Sequence, residues 1–210
     1  MGSSPSSDVL ITPAAPADAD GAAETLVQAF LADPHMTGSL PTGDTAGQLR
    51  RLFGSGVRSA LRGSGHVYLA VDSEDSSVPP LGVAVWEPPT SKTPPLSALT
   101  HLVTQARVYG SRLPDALRNA RAFHAHHPKA PHWFLAFIGA RPEARGRGVG
   151  SALIRQGLAH ADAESVGVYL ESSSPDNLPY YRKFGFHERG VIPAYGTSPA
   201  IGMWRPPSST

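Results

Sequence analysis

Arg145-Gly146-Arg147-Gly148-Val149-Gly150 sets three glycines within six residues, and no other stretch narrows the possible folds of this chain as far. Just before it, Trp133 to Ile138 is a compact aromatic and aliphatic run, as in a strand buried on both faces. Just after it, Val149, Leu153, Ile154, Leu158 and Ala161 recur at three- and four-residue spacing, which predicts a helix with those side chains inward. Glycine admits positive φ and close backbone approach, so successive N–H groups can converge at the positive end of the helix dipole. A pyrophosphate fits such a turn. So does a plain strand-to-helix connection, and the six residues alone leave both readings open. Two commoner phosphate motifs fail. A P-loop needs Lys before the Ser or Thr that follows its last glycine, whereas Val149-Gly150-Ser151 has none. A dinucleotide fingerprint needs Gly-x-Gly-x-x-Gly, and the spacing here is Gly146-x-Gly148-x-Gly150, so no redox cofactor is expected.

The remaining elements surround this unit. Val9 to Thr12 reads as a short strand and Ala17 to Leu31 as a helix, with Ala23, Val27, Phe30 and Leu31 on one face. Leu49, Leu52, Phe53, Val57, Ala60 and Leu61 mark a second helix over Gln48 to Leu61. His66 to Val71 and Leu81 to Trp86 are apolar runs flanking the polar stretch Asp72 to Pro80, as in two antiparallel strands. From Pro94 to Pro128 the pattern is helical, with Leu96, Leu99, Val103 and Ala106 on one face and a break at Pro114. Beyond the glycine turn and its helix come a strand over Val166 to Leu170 and a short helix near Leu178 to Lys183. Two more strands follow, over Phe186 to Val191 and near Ile201 to Trp204. The class is therefore α/β, with residues 9–205 as one domain, 1–8 as a disordered Ser-rich start and 206–210 as a loose tail. A content of 40% hydrophobic and 17% charged residues excludes a disordered chain.

Arg145-x-x-Gly148-x-Gly150, followed downstream by the strand Val166 to Leu170, by Asn177 and by Tyr181-Arg182-Lys183-Phe184-Gly185-Phe186, resembles the GNAT superfamily of N-acetyltransferases. The stretch from His126 to Phe186 is also similar to the puromycin N-acetyltransferase group. That similarity runs through Pro128-Lys129, Trp133-Phe134-Leu135, Leu170-Glu171 and Asn177-Leu178-Pro179. The resemblance implies a central mixed, mostly antiparallel sheet with helices on both faces and a helical insertion between strands three and four. It implies acetyl-CoA as cosubstrate, with its pyrophosphate held by Arg145, Gly146, Arg147, Gly148, Val149, Gly150 and Ser151. The strand before the turn would splay from its neighbour at Ile138, Gly139 and Ala140, offering backbone groups to the pantetheine arm and the thioester carbonyl. Asn177 would be a further contact to that arm, or a cap for the short helix behind it.

Acetyl transfer to an amine needs a neutral amine, a stabilised oxyanion and a proton for the leaving thiolate. The resemblance places Tyr181 beside the sulfur as proton donor; its other role is a core aromatic next to Phe184 and Phe186. A backbone N–H near Ile138 or Gly139 is the candidate oxyanion donor. Many family members carry a Glu on the strand before the turn, but Trp133 to Ile138 has no carboxylate. The base is left to Glu171, directly or through a water, or to His132. Glu171 could equally be a solvated strand end, and His132 a half-buried histidine. The missing carboxylate also keeps open a non-catalytic acyl-CoA-binding or regulatory module, and a protein or peptide N-acetyltransferase is the other alternative.

With no cysteine, an acyl-thioester enzyme is excluded, so direct transfer in a ternary complex is expected. His124, His126, His127 and His132 lack a carboxylate at ligand spacing, so no metal is expected. A net charge of +1 gives no general pull toward nucleic acid or membrane, and no run approaches the ~20 apolar residues of a membrane span. The expected partner is a small-molecule amine, in a cytoplasmic monomer or homodimer. Arg107, Arg112, Arg118 and Arg121 would form the exposed side of the inserted helices, or those helices would cap the acceptor site. Trp86, Tyr109, Phe123 and Trp133 would then line an acceptor pocket, or else lie in the core.

Overall fold

Along residues 66–72 and 82–87 successive side chains go to opposite faces, and both faces are apolar. Val67, Leu69, Val83 and Val85 lie on one, with Tyr68, Ala70, Ala84 and Trp86 on the other. Strands buried on both sides need a covering layer on each. The computed structural model describes residues 9–72, 79–90 and 95–208, and supplies both layers. The expected disordered start, most of the connection before Pro80 and the last two residues lie outside the described residues, as do the side chains of Leu96 and Leu99.

The strands are β1 (Val9–Pro13), β2 (His66–Asp72), β3 (Gly82–Glu87), β4 (His132–Ala140), β5 (Gly167–Ser172), β6 (His187–Ile192) and β7 (Ala200–Arg205). They form one seven-stranded sheet in the order β1-β2-β3-β4-β5-β7-β6, with β4 and β5 parallel and every other pair antiparallel. The helices are α1 (Ala19–Phe30), α2 (Pro34–Gly38), α3 (Thr45–Arg62), α4 (Pro95–Tyr109), α5 (Leu113–His126), α6 (Val149–Ala163) and α7 (Leu178–Arg182). Leu26, Val27, Leu49, Phe53 and Val57 of α1 and α3 cover the Val67 face. Leu153, Ile154 and Leu158 of α6 cover the Trp86 face. A parallel pair needs a crossover. Here α6 makes it, so the glycine turn opens a β-α-β unit.

The expected elements are present, with instructive shifts at their ends. Helix α3 starts at Thr45 because the Asp44 carboxylate accepts the Gly47 N–H at 2.8 Å. Pro114 begins a helix rather than breaking one: it sits in the first turn of α5, where a missing N–H is harmless. The break falls just upstream, in a 3-10 turn from Gly110 to Arg112 with Gly110 at φ +49°. In the tail, the Ser208 hydroxyl and the Arg205 guanidinium both donate to Asp162.

Two irregularities make the site. Trp86 pairs with Leu135 while Val85 pairs with Phe137, so Ala136 is an extra residue that bends β4. Pairing of β4 with β5 runs only from His132↔Gly167 to Leu135↔Leu170. Beyond Leu135 the two strands part.

Close packing of α6 on the sheet yields a first prediction. A Cβ on Gly157 would stand 2.0 Å from the Trp86 indole, and Trp86 is fully buried. Gly157→Val is expected to lower unfolding free energy by about 3 kcal/mol through overpacking. A lower midpoint in urea denaturation checks it; an unchanged midpoint would mean that α6 does not seat on Trp86 as described.

Candidate active site

The parting of β4 from β5 opens a cleft of about 870 Å³. Ile138, Gly139 and Ala140 form one wall and Glu171 and Ser173 the other, with Arg145 and Gly150 at one end. Since β5 stops pairing at Leu170, the backbone edge of residues 136–140 facing it has no strand partner among the described residues.

At the turn, Gly146 and Gly148 have φ of +78° and +76°, where side chains with a Cβ are strained. Gly148 is the N-cap of α6 and supplies no side-chain acceptor to the first helical turn. The first bond into that turn is Ala152 N–H to the Gly148 carbonyl, so the N–H groups of Val149, Gly150 and Ser151 have no acceptor among the described residues. Arg145 is exposed and lines the cleft. Arg147 instead reaches Asp72 at 3.1 Å, pinning the turn to the end of β2.

Tyr181, on α7, is 9% exposed and packs against Tyr180 and Phe186. Its ring lines the cleft, and its hydroxyl has no hydrogen-bond partner among the described residues. Burial pushes its phenol pKa up, and Tyr180 and Asp33 push the same way. Tyr180 is used differently: its hydroxyl lies 3.4 Å from Ser151 Oγ and would touch a Cβ on Gly150, so it braces α7 against the start of α6. Asn177 is exposed, lines the cleft and makes no side-chain cap to α7.

Glu171 and His132, the two candidate bases, are separated. Glu171 lines the cleft, and its buried Oε1 has no hydrogen-bond partner. His127 Nε2 stands 3.4 Å from that oxygen, within ion-pair distance but not aligned as a hydrogen bond. His132 sits at the far end of β4, outside the cleft lining, with Nδ1 2.7 Å from the Ala130 carbonyl. Burial lowers its pKa, and His127 and Arg189 add to that against the Ala130 bond.

At the other end of the cleft Phe30, Met36, Tyr109, Phe123 and Phe137 give an apolar lining. Of the four aromatic residues considered from sequence, Tyr109 and Phe123 are here, while Trp86 and Trp133 lie in the core beneath α6. The insertion does reach the cleft, and the β6–β7 loop fastens to it. Buried Asn119 of α5 donates to the Tyr195 carbonyl and accepts from the Tyr195 N–H at 2.7 Å. Arg112 donates to the carbonyls of Gly38, Leu40 and Gly196, and Thr197 donates to the His35 carbonyl. Arg112 is thus a clamp rather than one of a row of exposed cations.

Sequence reasoning passed over Asp33, His35 and Asn119, and weighed His127 only as a metal ligand. Asp33-Pro34 is a helix-start signal: Asp33 Oδ1 caps α2 by accepting from Met36 N–H, with Pro34 in the first turn. Its Oδ2 accepts from the Ser173 hydroxyl at 2.6 Å, tying the α1–α2 segment to the end of β5. No group of three or more His, Asp or Glu side chains stands at metal-binding geometry among the described residues.

Comparison with known proteins finds a match of residues 110–186 to the acetyltransferase (GNAT) family. A Corynebacterium glutamicum structure described as histone acetyltransferase HPA2 and related acetyltransferase is 30% identical. The match covers 96% of this chain and 98% of that one, with a TM-score of 0.74. Over 54 residues the chain is 37% identical to the uncharacterised N-acetyltransferase C550.08 of Schizosaccharomyces pombe, a match spanning 26% of this chain and 22% of that protein. Mosquito arylalkylamine N-acetyltransferase like 5b, 13% identical, shares the fold at a TM-score of 0.57 over 94% of this chain and 99% of its own.

Proposed function

This chain belongs to the GNAT family of acetyl-CoA-dependent N-acetyltransferases, and from that premise we propose that it acetylates a primary amine of a small molecule by direct transfer in a ternary complex. The observation that carries the choice of acceptor is the tying together of the segments that bound the apolar end of the cleft. Helix α2, the inserted helices and the β6–β7 loop are fastened together there by Arg112, Asn119 and Thr197. A cleft whose apolar end is bounded by three tied segments suits a compact ligand better than an extended polypeptide.

The residues fit the cosubstrate. Free N–H groups at the start of α6 suit a pyrophosphate, with Arg145 beside them and the helix dipole behind. The unpaired edge at Ile138, Gly139 and Ala140 suits the amides of a pantetheine arm, and Asn177 stands across the cleft from it. In this reading Glu171 takes a proton from the acceptor ammonium, and a backbone N–H near Ile138 or Gly139 faces the developing oxyanion as a dipole already in place. Tyr181 hands its proton to the departing thiolate. Glu171 is preferred to His132 because it lines the cleft. Among the described residues no helix is long and apolar enough to cross a membrane, and a cytoplasmic site of action is part of the proposal.

A protein acceptor is the second reading, favoured by the description of the Corynebacterium relative as a histone acetyltransferase. Turnover of small primary amines against lysine-containing and N-terminal peptides separates the two. Small amines are expected to react and peptides to fail; efficient turnover of peptides alone would overturn the choice. Asn119→Ala sharpens the test. By unpinning Tyr195 it should raise KM for the small acceptor about fivefold while leaving KM for acetyl-CoA unchanged. An unchanged acceptor KM would mean that the Asn119–Tyr195 tie plays no part in binding.

A further inference from the structure

Acetylation of an alkylammonium removes two protons from nitrogen. One leaves with the thiol, so one must reach solvent in every turnover. Glu171 is 16% exposed and lines the cleft that the two substrates would fill, so the proton it receives needs another way out.

Behind Glu171 lies a second recess of about 450 Å³, lined by His126, His127, Lys129, Tyr169, Arg189 and Gly202. It shares no lining residue with the cleft. His127 spans the partition. Its Nε2 is 3.4 Å from Glu171 Oε1, its side chain is 29% exposed, and its ring is held edge-on against Phe134 and Tyr169 at 4.6 and 4.8 Å. Oε1 is buried without a hydrogen bond, and the polar groups that approach it are this imidazole and the Tyr169 phenol. A gap of this size is common for catalytic groups before substrates close the site.

Resting on the acetyl-transfer reading with Glu171 as proton acceptor, we propose that His127 is the relay that carries the acceptor's proton out of the active site through the second recess. The ammonium N–H bond breaks and a Glu171 O–H bond forms. Glu171 then passes that proton to the Nε2 lone pair of neutral His127 and returns to carboxylate. The imidazolium loses its Nδ1 proton to water in the recess, and ring exchange with solvent restores the starting tautomer. No oxidant, reductant or further reactant is needed.

The surrounding groups agree with this choice. Tyr169, the other polar side chain between Glu171 and the recess, has its phenol pKa pushed up by burial and by the Glu171 charge, which holds it in its protonated form, whereas the imidazole offers a free lone pair. Glu87 of β3 is near enough to His127 to feel its charge, and burial outweighs that influence and raises the Glu87 pKa. His132 of β4 and Arg189 of β6 also face the imidazole, while His126 and Lys129 flank it at the recess. Asp33 and Asp176 are the carboxylates on the cleft side. The backbone of His127 caps α5 through its N–H, and a substitution of the side chain leaves that bond intact.

Steady-state thiol release by His127→Ala and His127→Gln tests the relay in the full-length protein. Both variants should lose about tenfold in kcat while keeping the parental affinity for coenzyme A. Imidazole in the buffer should restore His127→Ala, which leaves room for it, in proportion to the neutral base present, and should leave the volume-filling His127→Gln unrestored. A kcat within about twofold of the parent in His127→Gln, or a loss in a folded His127→Ala that imidazole does not repair, would overturn the relay. Those results leave acetyl transfer itself standing. Absence of thiol release from the parent with any amine would instead remove the reading on which the relay rests.

Discussion

Tyr181→Phe should lower kcat about a hundredfold and leave the dissociation constant of coenzyme A within about twofold. The size of the effect follows from what the hydroxyl does not do. It has no hydrogen-bond partner among the described residues, so its removal orphans no buried donor or acceptor. The ring contacts with Tyr180 and Phe186 are retained by phenylalanine. Thermal stability should therefore hold while the proton supply to the leaving thiolate disappears. Burial keeps the phenol protonated well above neutrality, as a proton donor requires. Tyr180 cannot stand in, because its hydroxyl is turned to Ser151 against the start of α6. Single-turnover measurement of the chemical step checks the prediction. Parental turnover in Tyr181→Phe would remove the tyrosine from the mechanism.

The second large effect is on binding. Gly148→Val should weaken coenzyme A binding about a hundredfold by forcing the turn out of the left-handed region. A Cβ at Gly148 meets nothing within 4 Å, so the effect is one of backbone conformation and not of collision with the protein. At φ +76° a β-branched residue is strained, and relief of that strain shifts the acceptor-free N–H groups of Val149, Gly150 and Ser151 that follow it. Gly148→Asn, which tolerates this conformation, should unfold closer to the parent than Gly148→Val does. Calorimetric titration with coenzyme A, paired with thermal melts, reads both. Equal affinity in Gly148→Val and the parent would show that the turn is a connection and nothing more.

How far these features were legible in sequence depended on their reach along the chain. Strand β4, the glycine turn and α6 form one continuous segment whose periodicity and glycine spacing are local, so the order of elements around the turn is legible. Helix α2 is five residues long, too short to show a period, and only Asp33-Pro34 announces it. The contacts that tie the cleft walls together join distant positions: Asn119 to Tyr195 across 76 residues and Asp33 to Ser173 across 140. Nothing in a linear pattern points to such pairs. Separating Tyr109 and Phe123 from Trp86 and Trp133 required knowing which face each aromatic takes. Even the parity of β4 changes midway, because the extra residue Ala136 sends Phe137 toward Phe53 and the α1–α3 layer. The parting of β4 from β5 rests on where pairing stops, which side-chain pattern does not encode.

The central claim is that acetyl moves from coenzyme A to an amine in the cleft between β4 and β5. Continuous detection of free thiol from acetyl-CoA, with and without small primary amines, tests it most directly. The account predicts release that depends on an added amine, saturates in both substrates and collapses in Tyr181→Phe. Coenzyme A binding with no amine-dependent thiol release across the panel would contradict it and leave a binding module in place of an enzyme.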